Sequence, residues 1–433
     1  MTMAQRQGAP ISEELRLHRQ YRGKMQTALK CPIGGPADFG IWYTPGVAEP
    51  CRAIQAEPAS VYDYTNKGNL VAVVSDGSRV LGLGNIGPEA GLPVMEGKSL
   101  LFKYLGGVDA VALCLATTSA EELVRAVEWL APSFGGINLE DIAQPKCFRV
   151  LEALRGRLSI PIWHDDQQGT AAVVLAGLLN ALRVTGRELR NARIAMIGIG
   201  AANVATYRLL TTYGVDPGAI TACDSRGILH PRRGDLEASQ SQYPEKWRIC
   251  SESNGERRTG GIAEALAGAD VCLAFSTPGP GVIRPEWVVR MAPHSVVFAC
   301  ANPAPEIAPK DAAAAGAAVV ATGRNDFPNQ VNNSLVFPGM FRGTLDVRSR
   351  AISDGMAIAA AVALSDYGME LGLRRDRILP GMEEPETAVR VAVAAGMAAQ
   401  TQGIAQIARS KEELRAMAIH AIQEARGVAG ASR

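Results

Sequence analysis

The sequence predicts an α/β fold of two domains, and three observations support that prediction. The chain has 433 residues, more than one hydrophobic core usually organises. Its composition, with 47% hydrophobic and 20% charged residues, is that of a globular protein. Short β-rich runs alternate with helix-like stretches over most of the length, which is typical of parallel sheets covered by helices on both faces.

Nine apolar runs predict the strands, at 69–75, 108–116, 135–139, 160–164, 193–198, 219–224, 271–276, 295–300 and 318–322. Between them, segments such as "SAEELVRAVEWLA" carry apolar residues at helical spacing. After "SLVFPGMFRG" the pattern is helical to the end, apart from the turn-rich "LPGMEEPET". We expect a first domain over 1–165, a second over 166–333, and a helical segment over 334–433 that packs back on the first.

Charge and cysteine content exclude several classes of protein. A formal net charge of +1 gives no electrostatic reason to expect nucleic acid or an anionic membrane as a partner. The eight cysteines are scattered without a C-x-x-C pair, which indicates a reducing cytoplasm. The N-terminus lacks the apolar core of a secretory leader, and the longest apolar run, 355–364, is too short to span a bilayer.

The segment "ARIAMIGIGAANVATYRLL" predicts a strand, a glycine turn and a helix. Gly198 and Gly200 suit a tight turn and the close approach of backbone N–H groups to a pyrophosphate. The following helix, beginning with Ala201 and Ala202, adds a favourable dipole. We therefore expect the second domain to be Rossmann-like and to bind a dinucleotide, although the turn would also suit strand–helix packing alone.

The choice between NAD and NADP stays open at this stage. The third position of G-x-G-x-x-G is Asn203, so the fingerprint is incomplete. Asp224 ends the following strand, where an acid would hold the ribose hydroxyls of NAD. Arg226, two residues later, would instead suit the 2′-phosphate of NADP.

Two pairs of adjacent acids follow predicted strands: Glu140 with Asp141, and Asp165 with Asp166. Open parallel sheets build their sites at the C-terminal ends of strands. Converging carboxylates without Cys or His ligands suit Mg²⁺ or Mn²⁺. For either pair alone, helix capping by residues such as Asp166 is the simpler interpretation, but the two pairs together favour a metal site.

Two cations lie in the glycine-rich stretch 74–111. Arg79 would suit a bidentate contact with a carboxylate. Lys98 lies at the expected start of a helix, where the dipole and partial burial would lower its pKa toward that of a general base. Both residues have the alternative of being ordinary surface cations.

Tyr43 and three asparagines complete the set of candidates. Tyr43 precedes a Pro-Gly turn, a position more often structural than catalytic. Asn302 follows a strand, and Asn332 and Asn333 lie in "NQVNNSLVFPG". Their amides would suit a polar substrate, although single asparagines in turns usually bond to the backbone.

Together these motifs resemble the malic enzyme family in its short bacterial form. "YTPGVAEPC", "SRVLGLGNIGPEAGLPVMEGKSLLFK", "GGINLEDI", "HDDQQGTA", "CANPAPEI" and "NQVNNSLVFPGMFRG" occur in that family's order and spacing, over residues 40–360. The resemblance implies oxidative decarboxylation of (S)-malate to pyruvate and CO₂ with reduction of NAD or NADP. It also implies a required Mn²⁺ or Mg²⁺ and a homodimer or larger assembly, with a site that two subunits would share.

The resemblance assigns a role to each candidate. It implies a general base at Lys98, a general acid at Tyr43 and a carboxylate beside the base at Asp165. The implied metal ligands are Glu140, Asp141 and Asp166. The implied substrate contacts are Arg79, Asn302 and Asn333, and Asn332 joins the cofactor contacts. Two positions depart from the family: Asn203 replaces the usual glycine, and Gln168 stands where many bacterial relatives carry His.

Three other functions stay open. A malolactic enzyme shares these motifs, keeps NAD bound and releases lactate. An amino-acid dehydrogenase also pairs a substrate domain with a dinucleotide domain and uses a lysine, but it needs no clustered carboxylates. A non-catalytic nucleotide sensor is favoured only by the departure at Asn203.

Overall fold

The computed structural model describes residues 11–431 and contains two β-sheets, each covered by helices. The first sheet is parallel, in the order β2-β1-β3-β4. Its strands are β1 (Leu70–Ser75), β2 (Asp109–Cys114), β3 (Gly136–Leu139) and β4 (Ile162–His164). The expectation that the N-terminus lacks a secretory leader concerns residues 1–10 in part, and these lie outside the described residues.

The second sheet has the order β10-β9-β8-β5-β6-β7 and is parallel except for the β6–β7 pair. Its strands are β5 (Ile194–Ile197), β6 (Ile220–Asp224), β7 (Gly227–Ile228), β8 (Val271–Ala274), β9 (Val296–Ala299) and β10 (Val319–Thr322). All nine strands predicted from the sequence are present. The two-residue β7 was not predicted, because so short a segment carries no periodicity.

The helices fall into four groups along the chain. The N-terminal group is α1 (Glu13–Tyr21), α2 (Asp38–Trp42), α3 (Ala48–Ala56) and α4 (Val61–Tyr64). The first sheet carries α5 (Gly87–Gly106), α6 (Ala120–Leu130), α7 (Lys146–Leu154) and α8 (Thr170–Val184). The second sheet carries α9 (Ala201–Tyr213), α10 (Gly234–Ala238), α11 (Pro244–Glu252), α12 (Ile262–Leu266), α13 (Pro285–Val288) and α14 (Pro309–Ala314). The C-terminal group is α15 (Phe337–Asp346), α16 (Asp354–Glu370), α17 (Glu386–Thr401) and α18 (Lys411–Ala431).

Helix α8 links the two sheets and carries the chain away from the second acid pair. Its sequence "TAAVVLAGLLNALRV" is apolar on every face, so it is buried, between α9 and α16. Asn180 is its buried polar residue, and its Nδ2 donates to the backbone oxygens of Ser365 and Ile378 at 2.9 and 2.8 Å. These hydrogen bonds tie the C-terminal half of α8 to α16 and to the segment that follows it.

The C-terminal helices pack on the first sheet's helix α5, which α15 and α18 both contact. The ring of Phe102 on α5 lies 4.6 Å from that of Phe337 and 5.2 Å from that of Phe341 on α15, measured between centroids. The boundaries at residues 165 and 333 stay predictions. Among residues 11–431, every helix is too short or too polar to cross a membrane.

Candidate active site

The two acid pairs lie side by side at the C-terminal edge of the first sheet. Glu140 and Asp141 directly follow β3, and Asp165 and Asp166 directly follow β4. The two strands are parallel neighbours, with Leu139 paired to His164, so both strands end at the same level. The edge of the sheet thus gathers four carboxylates, as expected from the sequence.

A turn of π-helix over 165–169 separates β4 from α8 and directs the two acids differently. The Asp165 side chain is fully buried, whereas that of Asp166 is 36% exposed. Asp166 Oδ2 accepts the backbone N–H of Asp141 at 2.9 Å. Because no side chain caps this turn or α8, the helix-cap interpretation of Asp166 is wrong. Asp141 has a φ of 53°, in the left-handed region, which turns its N–H toward Asp166.

Glu140, Asp141 and Asp166 fit a hard divalent cation. One oxygen from each lies within 4.8 Å of the others. Asp141 Oδ2 is buried without a hydrogen-bond partner. Burial and the nearby Asp166 raise the pKa of Asp141 to about 8, and burial also raises the pKa of Glu140 well above its ordinary value. Carboxylates held this way carry more negative charge than nearby cations offset, and Mg²⁺ or Mn²⁺ would supply the rest.

Lys98 reaches the same cluster from helix α5. Its Nζ lies 2.7 Å from Asp165 Oδ2 and 3.0 Å from Glu140 Oε1, and 4.5 Å from the centroid of the Phe337 ring. Phe337 was not singled out from the sequence, because the C-terminal helices carry no local sign that they contact α5.

Two expectations about Lys98 are wrong. The residue lies in the middle of α5 and not at its start, so the helix dipole does not act on it. Burial on its own lowers the pKa of Lys98, but the charges of Asp165 and Glu140 outweigh burial and raise that pKa above its ordinary value. The ammonium group is therefore held charged by the carboxylates that face it.

Two positioning residues were missed in the sequence. Trp163 Nε1 donates to Asp165 Oδ1 at 3.0 Å, and Asn138 Nδ2 donates to Glu140 Oε2 at 2.8 Å. Each donor precedes its acid by two residues, and side chains two apart along a strand point to the same face. That i, i+2 spacing is the signal that would have found them.

Asn333 lies next to the acid pair of β4. A β-carbon at Gly169 would lie 1.9 Å from Asp165 Oδ1 and 3.2 Å from Asn333 Cβ, so only glycine fits between them. Asn332 precedes it, and its side-chain oxygen accepts the Ser334 N–H at 2.9 Å. Asn332 therefore forms the turn that presents Asn333.

Arg79 and Asn302 are exposed on two loops that touch each other. The backbone N–H of Arg79 donates to the backbone oxygen of Asp141 at 3.0 Å, so the Arg79 loop is tied to the acid cluster. A β-carbon at Gly82 would lie 2.5 Å from Pro303 Cδ and 2.9 Å from the Asn302 oxygen. The loop after β1 thus meets the turn after β9. This contact brings together the C-terminal strand ends of the two sheets, which we call their active edges.

Tyr43 is not packed into this cluster. It follows α2 and is 71% exposed, whereas the Lys98 side chain is 10% exposed. Within residues 11–431, no hydrogen bond joins its phenol to the acids or to Lys98.

The glycine turn has the expected form. Gly198 follows β5 with a φ of 86°, and a β-carbon there would lie 2.5 Å from the Phe275 oxygen. Gly200 precedes α9, whose first residues Ala201 and Ala202 lack a side-chain cap, so their N–H groups are available to an anion. Asn203 is fully buried, and its Nδ2 donates to the Gly198 oxygen at 2.7 Å.

Asp224 ends β6, as predicted, but it is already paired. Arg233 Nη1 donates to its Oδ1 at 2.8 Å, and Lys246 Nζ lies 2.5 Å from its Oδ2. Arg226 is exposed nearby, with its side chain 71% accessible. The sequence did not reveal these ion pairs, because both cations follow in separate loop and helix segments.

The described fold and site define a nicotinamide-nucleotide-dependent oxidoreductase with two α/β domains. The family models for the malic enzyme N-terminal domain and the malic enzyme NAD binding domain match residues 23–155 and 167–401. The chain belongs to the malic enzyme family.

Several known proteins are similar to this chain over nearly its whole length. The bifunctional malic/malolactic enzyme of Bacillus subtilis is 45% identical over 93% of this chain and 96% of its own. The NADP-dependent malic enzyme of Halomonas elongata is 42% identical over 94% of this chain and 96% of its own. The crystal structure of Entamoeba histolytica malic enzyme has a TM-score of 0.92 and 44% identity, over 96% of this chain and 86% of that one. Membership alone leaves NAD and NADP both open.

Proposed function

We propose that the protein catalyses the divalent-metal-dependent oxidative decarboxylation of (S)-malate to pyruvate and CO₂, with reduction of NAD or NADP. The observation that carries this proposal is the position of Lys98 between Asp165 and Glu140, beside three carboxylates that suit one cation. Arg79, Asn302 and Asn333 are the substrate contacts in this proposal. Malate is a small dicarboxylate, so a guanidinium and two amides suit its oxygens.

Glu140, Asp141 and Asp166 would hold Mn²⁺ or Mg²⁺. The bound cation would polarise the substrate oxygens and offset the carboxylate charge that raises the pKa of Lys98. Lys98 would take the proton of the C2 hydroxyl, and a bound NAD or NADP would supply the acceptor for the hydride from C2. Asp165 orients Lys98, and Trp163 in turn orients Asp165 by the hydrogen bond described above.

The glycine turn is the proposed site of the cofactor pyrophosphate. Gly198, Gly200, Ala201, Ala202 and Asn203 present backbone to it. Asn332, on the turn before Asn333, is a further cofactor contact in this proposal. Asp224 and Arg226 lie at the neighbouring strand end, at the position of the adenosine ribose in this fold.

We further propose that a second copy of the chain covers the N-terminal segment and that Tyr43 completes the partner's site. Helices α1–α4 contain no buried residue, although the segment exposes many large apolar side chains. These include Leu15, Tyr21, Leu29, Phe39, Ile41 and Trp42. A surface of this kind is typical of a protein–protein interface. Tyr43 would deliver the proton to C3 of the enol that remains after loss of CO₂.

The primary test follows nicotinamide reduction with (S)-malate, each cofactor and Mn²⁺, with and without a chelator. We expect turnover only with the metal and pyruvate as the carbon product. Lactate as the sole product would favour a malolactic enzyme, and turnover that persists in chelator would contradict the metal site. The eight free cysteines support a cytoplasmic location for this reaction.

Mixing two inactive variants tests the shared site. Lys98→Ala and Tyr43→Phe copies that exchange subunits should regain about a quarter of wild-type activity, because half of the dimers would have one intact site. If Tyr43 served its own copy, the mixture would stay inactive. A monomeric mass by ultracentrifugation would contradict the proposed interface.

A further inference from the structure

The acid at the end of β6 is saturated with hydrogen bonds. Asp224 Oδ1 accepts the Arg226 backbone N–H at 2.9 Å and Arg233 Nη1 at 2.8 Å. Oδ2 accepts Arg233 Nη2 at 3.2 Å and lies 2.5 Å from Lys246 Nζ. A carboxylate offers about four lone-pair positions, so Asp224 has none left for a pair of ribose hydroxyls.

These pairs are also hard to break. The side chains of Asp224 and Arg233 are 8% and 10% exposed. Arg233 is held from its other side by Asp235, with Nε donating to Oδ1 at 2.9 Å and Nη2 to Oδ2 at 2.6 Å. Burial alone would raise the pKa of Asp224, but the hydrogen bonds from Arg233 and Lys246 lower it below its ordinary value. Freeing the carboxylate for a ribose would leave buried charges uncompensated.

The charge around this acid is positive. Among residues 11–431, Arg226, Arg233 and Lys246 form ion pairs with two carboxylates, those of Asp224 and Asp235. Arg226 is the outermost cation, and its ion pair with Asp235 at 3.2 Å is exposed. Exposed pairs are weak, so its planar guanidinium can exchange that carboxylate for a dianionic phosphate.

We propose that this strand end selects NADP over NAD, with Arg226 binding the 2′-phosphate while Arg233 and Lys246 keep Asp224 from the ribose. The inference rests on the proposed function, since it names the cofactor that the same dinucleotide site takes. It reverses the weight that the position of Asp224 alone gives to NAD.

Fragment binding tests the selection without turnover. Calorimetry should show adenosine 2′,5′-bisphosphate binding at least about tenfold more tightly than adenosine 5′-monophosphate, a margin of one good charge-assisted contact. Arg226→Ser should remove that margin and leave the monophosphate unchanged. Arg248→Ser is the matched control, because Arg248 lies on α11 beside Lys246 but pairs with Glu252 at 3.0 Å.

A second variant acts in the opposite direction. Lys246→Met removes one of the two partners of Asp224 Oδ2, so the ratio of kcat/KM for NADP to that for NAD should fall. Arg226→Ser should lower that ratio by about tenfold or more. Equal or tighter binding of the monophosphate by the wild type would overturn the inference, as would an unchanged ratio in Arg226→Ser.

The inference and the proposed function fail in distinguishable ways. A protein that oxidises malate with NAD in preference to NADP retains the proposed function and refutes the cofactor selection. A protein that binds adenosine 2′,5′-bisphosphate preferentially but reduces neither cofactor with malate retains the selection and refutes the function.

Discussion

The active edges of the two sheets differ in what forms the site: charged side chains at the first, and backbone conformation in the glycine turn of the second. At the end of the first sheet, buried Lys98 Nζ lies 2.7 Å from Asp165 and 3.0 Å from Glu140, which are buried as well. At the end of the second sheet, the glycine turn depends on backbone shape, such as the positive φ of Gly198. Exchange of one side chain should therefore abolish chemistry at the first edge, whereas the glycine turn should tolerate side-chain exchange that preserves its backbone.

The largest effect is expected at Lys98. Loss of a general base costs about 10²- to 10⁴-fold in rate, so Lys98→Ala should lower kcat by about 10³-fold. The change also leaves Asp165 and Glu140 buried without a cation, so thermal unfolding should shift to lower temperature. Lys103→Ala is the control on the same helix, since Lys103 forms a partly exposed pair with Asp109 at 2.8 Å.

Lys98→Arg separates base chemistry from charge balance. Arginine keeps the positive charge but does not deprotonate in proteins, so thermal stability should recover while kcat stays low. An arginine variant with nearly wild-type kcat would show that Lys98 supplies only charge.

The next effect concerns the metal. Asp166→Asn removes one charged ligand oxygen and should raise the Kd for Mn²⁺ by about 100-fold in calorimetry, with a matching loss of metal-dependent activity. Asp109→Asn is the control, because Asp109 pairs with Lys103 away from the cluster. Unchanged Mn²⁺ affinity in Asp166→Asn would contradict the ligand assignment.

A third, smaller effect tests how closely the first edge is packed. Gly169→Ala places a methyl group against Asp165 Oδ1 and Asn333, so Asp165 must move and Lys98 with it. Displacement of a catalytic group should cost kcat about tenfold or more. Gly97→Ala is the control, since a β-carbon at Gly97, beside Lys98 in the sequence, meets no atom within 4 Å. Equal kcat in the two variants would mean that the Asp165 position is not critical.

The difference between the edges also explains what the sequence could predict. The strands and the acids that follow them were found because a strand is a local apolar run and its end is a local event. The start of α5 was placed too late, because Gly87, Gly91, Pro93 and Gly97 have low helical propensity. Packing against β1, β2, α15 and α18 overrides that propensity, and no local pattern reports it.

The ion-pair partners of the site residues were the second feature that the sequence could not predict. Asp224 was correctly placed at a strand end, but Arg233 and Lys246 reach it from 9 and 22 residues further along the chain. The raised pKa of Lys98 has the same origin, since Asp165 lies 67 residues away in sequence. Spacing predicts which residues share an edge, whereas the sign of a pKa shift depends on every charge that the fold brings there.

Asn203 gives the smallest expected effect and the sharpest test of the second edge. Its Nδ2 donates to the oxygens of Gly198, Ile197 and Leu273, at 2.7, 3.2 and 3.4 Å, and thereby ties the turn to the sheet. Asn203→Gly should lower the free energy of unfolding by about 1–2 kcal/mol, from lost hydrogen bonds and a glycine inside α9.

Dinucleotide affinity in Asn203→Gly should change less than about threefold, because the N–H groups of the turn belong to the backbone and stay in place. The side chain lies beneath the turn, fully buried, and so does not occupy the space above it. Calorimetry with NADP and NAD measures the affinity, and urea unfolding measures the stability. An affinity that rises tenfold would mean that Asn203 distorts the turn, and the glycine turn would then depend on side-chain identity as the first edge does.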